Sequence, residues 1–422
     1  MHFLLMPIGT AGDVHPLIGI GRELAARGHD VSIFTHSEFA RPVLEAGLEF
    51  LDAQDQSDYR ATFTNPHAWN ERRGHWIVMP FYFRLMRKQF ATIQARYIPG
   101  QTVVVAEGGA FGARVAHDAL GVPLVTIHTC PLVFRSMLQP ALEPIWFRLP
   151  RQWPWVRRPC YWFFDRVYVD PLLAPINDFR RSLGLPPVRR FLNGWWHSPQ
   201  RVIGMFPEWF ARPAPDWPPQ TRLTGFPLSD PGDDEPLSHD LAEFLDAGRP
   251  PIAFTPGSAV RAGRAYFGTA VEACLRLHRR GLLLTRHADQ VPRNLPKTIR
   301  HVPFAPFRRL LHQTAALVHH GGIGSTSQAL LAGIPQLIRP LAYDQPDNAE
   351  RTAGLGVARV LTPRQFRAAQ VAHCLNELLN NPGVTHRCRV LAARLRCENG
   401  IANAANVIEE MASAPAVVRN TA

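Results

Sequence analysis

The sequence predicts an α/β protein built from two Rossmann-like, doubly wound domains that face each other across a cleft. Three observations predict it. The chain opens with a strand, a glycine loop, a helix and a second strand, the βαβ unit of parallel sheets. A second alternating series of strands and helices follows a break rich in proline, glycine and acid. The length, 422 residues, exceeds what one hydrophobic core usually supports. Hydrophobic residues at 46% against charged residues at 19% place the chain among globular proteins and not among disordered ones.

In chain order, Phe3-Leu4-Leu5-Met6 is an apolar strand leading into Gly9-Thr10-Ala11-Gly12-Asp13. Leu17, Ile18, Ile20, Gly21 and Leu24 then supply a helical apolar face, and residues 31–35 read as the second strand. Further buried strands are predicted at 102–106 and 122–128. Residues 207–236 carry Pro213, Pro215, Pro218 and Pro219, then Pro231-Gly232-Asp233-Asp234-Glu235-Pro236, a composition that suits a connection between domains. The second series has strands at 251–255, 281–285, 299–302 and 335–340, another ending at Val318, and a helix at 266–277. Residues 363–411 read as mainly helical. The expected division is an amino-terminal domain 1–215, a linker 216–240, a second domain 241–400 and a tail helix 401–422.

Several classes are excluded. No uninterrupted apolar run is long enough to cross a bilayer. The chain enters a strand at once, without a basic leader and small-residue cleavage site, so a cytoplasmic location is expected. Six scattered cysteines lack a C-x-x-C pair or metal-ligand spacing, which fits free thiols in a reducing compartment and no metal site. The net charge of +12 comes almost wholly from arginine, Lys88 and Lys297 being the lysines, and is spread along the chain. With no recognisable nucleic-acid module, a nucleic-acid partner is not expected. Attraction to anionic lipid, and hence peripheral contact with the inner membrane, stays open.

The most informative stretch is Val318-His319-His320-Gly321-Gly322-Ile323-Gly324-Ser325-Thr326, continued by Gly333-Ile334-Pro335 and Asp344-Gln345. A strand ends in two histidines and a glycine turn, and a helix starts from that turn. Backbone amides there approach an anion closely, and the helix dipole favours its charge. In the first loop, Asp13 sits at the start of a helix with Pro16 in the first turn. It reads either as a helix N-cap or as a carboxylate aimed into the cleft as a general base. His15 is a second candidate, and His128, at a strand end, a third. Residues 132–169 interleave Phe134, Trp146, Phe147, Trp153, Trp155, Trp162, Phe163 and Phe164 with Arg135, Arg148, Arg151, Arg157, Arg158 and Arg166. Such a segment can lie at a lipid interface, wall a pocket for an acyl chain, or pack as an irregular insertion.

These motifs resemble the inverting nucleotide-sugar glycosyltransferases with the two-domain GT-B fold. Ile8-Gly9-Thr10-Ala11-Gly12-Asp13-Val14 and Asp344-Gln345-Pro346-Asp347-Asn348-Ala349-Glu350-Arg351 carry the broad resemblance. Trp196-His197-Ser198-Pro199-Gln200, Phe206-Pro207-Glu208-Trp209-Phe210 and Leu223-Thr224-Gly225-Phe226-Pro227-Leu228 resemble the rhamnosyltransferase B chains of rhamnolipid synthesis. The resemblance implies an acceptor-binding first domain, a donor-binding second domain, and no cofactor besides the nucleotide-sugar co-substrate. It implies Asp13 as base and His15 as base or orienting neighbour. His320, or His319 with the roles exchanged, would contact the diphosphate with Gly322, Gly324 and Ser325, and Gly257-Ser258 would form another phosphate-facing loop. Phe304-Ala305 stands where relatives stack an aromatic on the nucleobase. Asp344-Gln345 would bind the donor sugar. Gln328 replaces a ribose-binding glutamate, compatible with a dTDP-sugar. Gly12, His128, Trp155 and Trp162 would contact the acceptor.

The activity implied is transfer of L-rhamnose from dTDP-L-rhamnose to a 3-(3-hydroxyalkanoyloxy)alkanoate lipid, with a partner acyltransferase as a further expectation. The alternatives are another dTDP- or UDP-sugar and a sterol, carotenoid or polyketide acceptor. A non-catalytic sugar-nucleotide-binding subunit and an epimerase are alternatives of another class.

Overall fold

The computed structural model describes residues 1–53, 56–71, 73–141, 154–229, 235–257 and 263–413. They form two parallel sheets. The amino-terminal sheet has seven strands: β1 (His2–Met6), β2 (Asp30–Thr35), β3 (Glu49–Asp52), β4 (Thr102–Glu107), β5 (Leu124–His128), β6 (Arg201–Gly204) and β7 (Thr221–Leu223). Their spatial order is β3-β2-β1-β4-β5-β6-β7. The second sheet orders β8 (Ile252–Phe254), β9 (Gly281–Leu284), β10 (Ile299–Val302), β11 (Ala316–His319), β12 (Gln336–Ile338) and β13 (Ala358–Val360) as β10-β9-β8-β11-β12-β13. Central strands read as continuous apolar runs because helices cover both faces: Phe3, Leu4, Leu5 and Met6 are all fully buried.

Both sheets share one topological feature. Strand order reverses between β1 and β4 in the first and between β8 and β11 in the second. At such a reversal the loops leave the carboxyl ends of adjacent strands in opposite directions and open a crevice, the usual ligand site of a doubly wound sheet. The glycine loop after β1 and the His319-His320 turn after β11 sit at these two crevices.

The chain crosses between the halves more than once. Strand β7 belongs to the first sheet although it lies within the stretch expected as linker. The last described helix, Gly400–Ser413, returns to the first domain. There Ala404, Ala405 and Ile408 pack in one apolar cluster with Phe3, Leu17 and Val103. Glu409 of that helix meets the Arg27 guanidinium at 2.5 Å and His29 at 2.8 Å. The amide of Asn403 donates to the Thr224 carbonyl at 3.0 Å. The tail therefore fastens the second domain to the first.

Candidate active site

In the amino-terminal crevice, the helix Ala11–Ala26 starts at the carboxyl end of β1. Its N-cap is Thr10, so Asp13 is the third helical residue and not the cap itself. The Thr10 backbone N–H donates to Asp13 Oδ2 at 2.8 Å, and the Thr10 hydroxyl donates to the same oxygen at 3.1 Å. This is the carboxylate half of a capping box. It consumes one oxygen and leaves Oδ1 without a hydrogen bond among the described residues. Gly9 makes the arrangement possible: its φ is +137°, and a Cβ there would lie 2.4 Å from Asp13 Oδ2.

Glu107, at the carboxyl end of β4, faces the same crevice. Its Oε2 accepts from the Gly109 backbone N–H at 2.7 Å. Burial, and then the field of Asp13, hold the Glu107 carboxyl well above the usual carboxylate range. Burial likewise pushes Asp13 up to about 6, against the two bonds from Thr10. Sequence reasoning missed Glu107. The signal was an acid followed by two glycines at the end of an apolar strand.

In the second crevice, the two histidines separate cleanly. His319 is fully buried; its Nε2 bonds Gln336 Oε1 at 2.9 Å, and the Gly321 N–H donates to its Nδ1 at 3.1 Å. Both ring nitrogens are thus used, Nε2 in holding β11 to β12 and Nδ1 in fixing the turn after β11. The His320 ring instead lies between Gly257 and Gly322. Gly257 has φ +105°, and a Cβ there would stand 3.0 Å from the ring. The loop after β8 and the turn after β11 therefore meet through this one imidazole. Its Nδ1 is buried without a partner among the described residues, and burial presses its pKa down to about 4, so the ring is neutral at pH 7. Beside it the helix Ile323–Ala332 begins, with Gly322 as N-cap and Gly324 and Ser325 in the open first turn. Gln328 is buried on the next turn.

The loop after β12 completes the site. Asp344 precedes the helix Gln345–Gly354, and its Oδ2 accepts from Asn348 Nδ2 at 2.6 Å. That amide also donates to the Gly321 carbonyl at 3.1 Å, tying the Asp344 loop to the histidine turn. Gln345 Oε1 accepts from the Leu341 N–H at 2.9 Å, which folds the loop back on itself. Tyr343 stands at φ +59°, a left-handed conformation unusual for a tyrosine. Its hydroxyl donates to the Ala68 carbonyl and its ring lies edge-on to Trp69 at 5.9 Å, both in the first domain. The strained residue before Asp344 is thus held by the opposite domain.

The two halves form one electrostatic environment. Burial, and then the charge of Asp13, push Asp344 up to about 7. Burial, followed by the Arg286 guanidinium of the second domain, presses His15 of the first down to about 4. Arg286 also sits over the Phe304 ring at 5.2 Å, and that ring is 50% exposed. Ala305 beside it is buried.

The other expected residues differ in exposure. Gly12 is exposed on the first helical turn. His128 is a core histidine: Nε2 meets His197 Nδ1 at 3.0 Å, and Phe134 and Trp196 pack edge-on against it. Trp155 and Trp162, expected to wall the acceptor, are 75% and 67% exposed on the outward face of the helix Pro154–Phe164. Ser258, Trp146, Phe147, Arg148, Arg151 and Trp153 lie outside the described residues.

Comparison with known proteins matches the two-domain fold. Residues 3–139 match the glycosyltransferase family 28 N-terminal domain. Residues 282–417 match the erythromycin biosynthesis protein CIII-like C-terminal domain. The chain is 31% identical over 429 aligned residues to O-mycaminosyltylonolide 6-deoxyallosyltransferase of Streptomyces fradiae, covering 98% of both chains. It is 27% identical to a sterol 3-beta-glucosyltransferase of Arabidopsis thaliana, covering 96% of this chain and 64% of that one. Among solved structures, the glycotransferase of kitacinnamycin superposes with a TM-score of 0.73 at 22% identity over 97% of this chain and 98% of that one. Spinosyn rhamnosyltransferase SpnG complexed with thymidine diphosphate superposes with a TM-score of 0.68 at 18% identity, over 97% of this chain and 100% of that one.

Proposed function

We infer the reaction from one premise: the chain belongs to the GT-B glycosyltransferases of the family 28 and EryCIII-like group. As a member it transfers a sugar from a nucleotide-sugar donor. We propose that the donor is dTDP-L-rhamnose and that the acceptor is the hydroxyl of a 3-(3-hydroxyalkanoyloxy)alkanoate. The carrying observation is the pair of crevices, one presenting the Asp13 carboxylate and the other the His320 ring and an open helix N-terminus, on either side of one cleft.

In this reading Asp13 Oδ1 takes the proton of the acceptor hydroxyl as its oxygen attacks the anomeric carbon. The new carbon–oxygen bond forms as the bond to the diphosphate breaks, so the configuration at that carbon inverts. The electron pair leaves on the diphosphate, where a neutral His320 N–H, the amides of Gly324 and Ser325 and the Gly257 loop meet it. Asp344 and Gln345 hold the sugar hydroxyls, and Tyr343 fixes them relative to the first domain. Burial raises the proton affinity of Asp13, which suits it to accept a hydroxyl proton near neutral pH, and Glu107, raised well above the usual range in the same crevice, stays neutral beside it. His15, neutral and beside the base, orients the acceptor. The dTDP preference is supported by Gln328, a neutral amide in place of a ribose-binding carboxylate, and the rhamnolipid acceptor by the strings of residues 196–200, 206–210 and 223–228.

A second reading keeps the mechanism and changes the acceptor to a polyketide. Identity of 31% to a tylonolide-modifying enzyme over 98% of both chains favours it. Incubation with dTDP-L-rhamnose, UDP-glucose and other donors, each paired with the hydroxyalkanoate, a macrolide aglycone or a sterol, decides between them by mass spectrometry. A rhamnosyl adduct of the hydroxyalkanoate is expected. Adducts confined to the macrolide or to UDP-sugars overturn the proposed substrates. Free altered sugar nucleotide without any glycoside identifies an epimerase instead, and no product of either kind fits a non-catalytic subunit.

A further inference from the structure

The helix Pro154–Phe164 continues through the π-helical turn Asp165–Val169 to Leu172. It is apolar on its outward face as well as its inward one. The inward face, at four-residue spacing, carries Arg157, Tyr161 and Val169, all under a tenth exposed. Arg157 donates to the Met137 carbonyl at 2.6 Å, and the Arg135 guanidinium lies 4.2 Å from the Tyr161 ring centre and 2.7 Å from Asp165. The inward side is thus bonded through one Arg157 amine and Arg135, while Arg157 Nε has no partner among the described residues. The outward face carries the bulky apolar groups: Trp155, Trp162, Phe163 and Val167 are 75%, 67%, 59% and 56% exposed. Trp76, 52% exposed, extends the patch through Tyr168, whose ring lies 5.7 Å from it.

Scattered exposed apolar residues need no explanation, but a contiguous aromatic patch marks an interaction surface. The charge around it selects the partner. Arg158 and Arg166 stand among the aromatics on the exposed face, and Arg166 makes only a loose 3.3 Å pair with Asp170. The core of a protein–protein interface is depleted of charge, so interleaved arginines on a convex helix argue against one. Indole rings with arginine between them suit the boundary between headgroups and acyl chains, where rings bury and guanidinium groups meet phosphate. The net charge of +12 favours a negative surface. No helix among the described residues is long and apolar enough to cross a membrane, so this one would lie along the surface.

We propose that the outward face of residues 155–167, together with Trp76, docks the protein on an anionic phospholipid bilayer. The docking does not depend on which acceptor is used. It also orients the enzyme, because Trp76 lies in the first turn of the helix whose first residue, Gly74, adjoins the Tyr343 hydroxyl at the cleft.

Cosedimentation of the full chain with vesicles tests this. Vesicles of phosphatidylglycerol and phosphatidylcholine in equal parts should bind the protein, less so as salt rises, and shift its tryptophan emission to the blue. Replacing Trp155, Trp162 and Phe163 together by Ser should lower the partition coefficient about tenfold or more. Arg158→Gln and Arg166→Gln should each lower it about fivefold, and they keep the test informative should the triple variant fail to fold. Binding to pure phosphatidylcholine that equals binding to the mixed vesicles, unaffected by the arginine variants, overturns the proposal. So does an unbound protein that self-associates through the patch, which would assign the face to a second copy of the chain.

Discussion

Replacing Asp13 by Asn separates its two roles, because the amide oxygen can still accept from the Thr10 N–H while the base is lost. Loss of general-base catalysis lowers kcat by on the order of a hundred- to ten-thousand-fold. Donor affinity should stay close to normal, since the donor loops lie in the other domain. Stability moves the opposite way. Burial raises the Asp13 carboxyl from 3.8 to about 6, so the folded chain holds a proton there that the unfolded chain has released. Asp13 therefore costs nothing below about pH 4, and its cost grows as pH rises through the window and is complete above about pH 6. At about 1.4 kcal/mol per pH unit the full cost approaches about 3 kcal/mol, less whatever cleft water offsets. The Asn variant carries no such cost. It should melt above the parent at pH 7 and with it near pH 4, by calorimetry across that range. In the parent, kcat should rise as pH passes through about 6, with an apparent value shared among Asp13, Glu107 and Asp344. Turnover within tenfold of the parent, or a stability difference that does not vary with pH, would refute the assignment of Asp13 as a buried base.

The donor side gives three further tests. His320→Ala should raise the donor KM about tenfold or more, the loss of one hydrogen bond to a charged oxygen, with the melting temperature nearly unchanged. His319→Ala should do the reverse, destabilising by about 1–3 kcal/mol because Gln336 loses its buried partner; donor KM and thermal denaturation measured on both variants separate the two roles. Gly257→Ala should weaken thymidine diphosphate binding by calorimetry, since the new Cβ presses on the His320 ring from a backbone with φ +105° that costs about 1–2 kcal/mol for alanine. Activity should survive a chelator unchanged, because the leaving diphosphate is met by dipoles and hydrogen bonds in the proposed mechanism; a strict requirement for a divalent ion contradicts it.

The architecture was legible in the sequence because buried parallel strands are continuous apolar runs. Residues 3–6, 31–35 and 299–302 coincide with β1, β2 and β10 to within a residue. The short edge strands were not. Strand β7, Thr221–Leu223, has three residues and a neighbouring run of prolines, so local composition pointed to a linker; only pairing with β6 makes it a strand. The 23-residue helix Gly74–Arg96 carries Pro80 and starts with glycine, which hides its period. Among site residues, those in strand–glycine–helix turns were readable from local pattern alone. Long-range partners were not: nothing near Tyr343 indicates that Ala68 accepts its hydroxyl, and nothing near His128 indicates that His197 occupies its Nε2. The aromatic segment left three readings open for a related reason. Aromatic content reports that apolar area exists, whereas the direction it faces is set by the buried Arg157–Tyr161 face.

One physical rule accounts for the glycines of both crevices. Read from sequence, glycine next to a helix start means close approach of backbone to an anion. In this fold Gly9 and Gly257 do something further, since each gives up a side chain so that a functional side chain from another position can occupy its space. Asp13 Oδ2 fills the space beside Gly9, and the His320 ring fills the space beside Gly257. Asp13 and His320 are consequently seated against backbone, and each is set at the point where its sheet reverses strand order. Tyr343, bonded across to Ala68, then sets the distance between the two fixed groups. A transfer that must hold a hydroxyl, an anomeric carbon and a departing diphosphate in line requires just those three constraints.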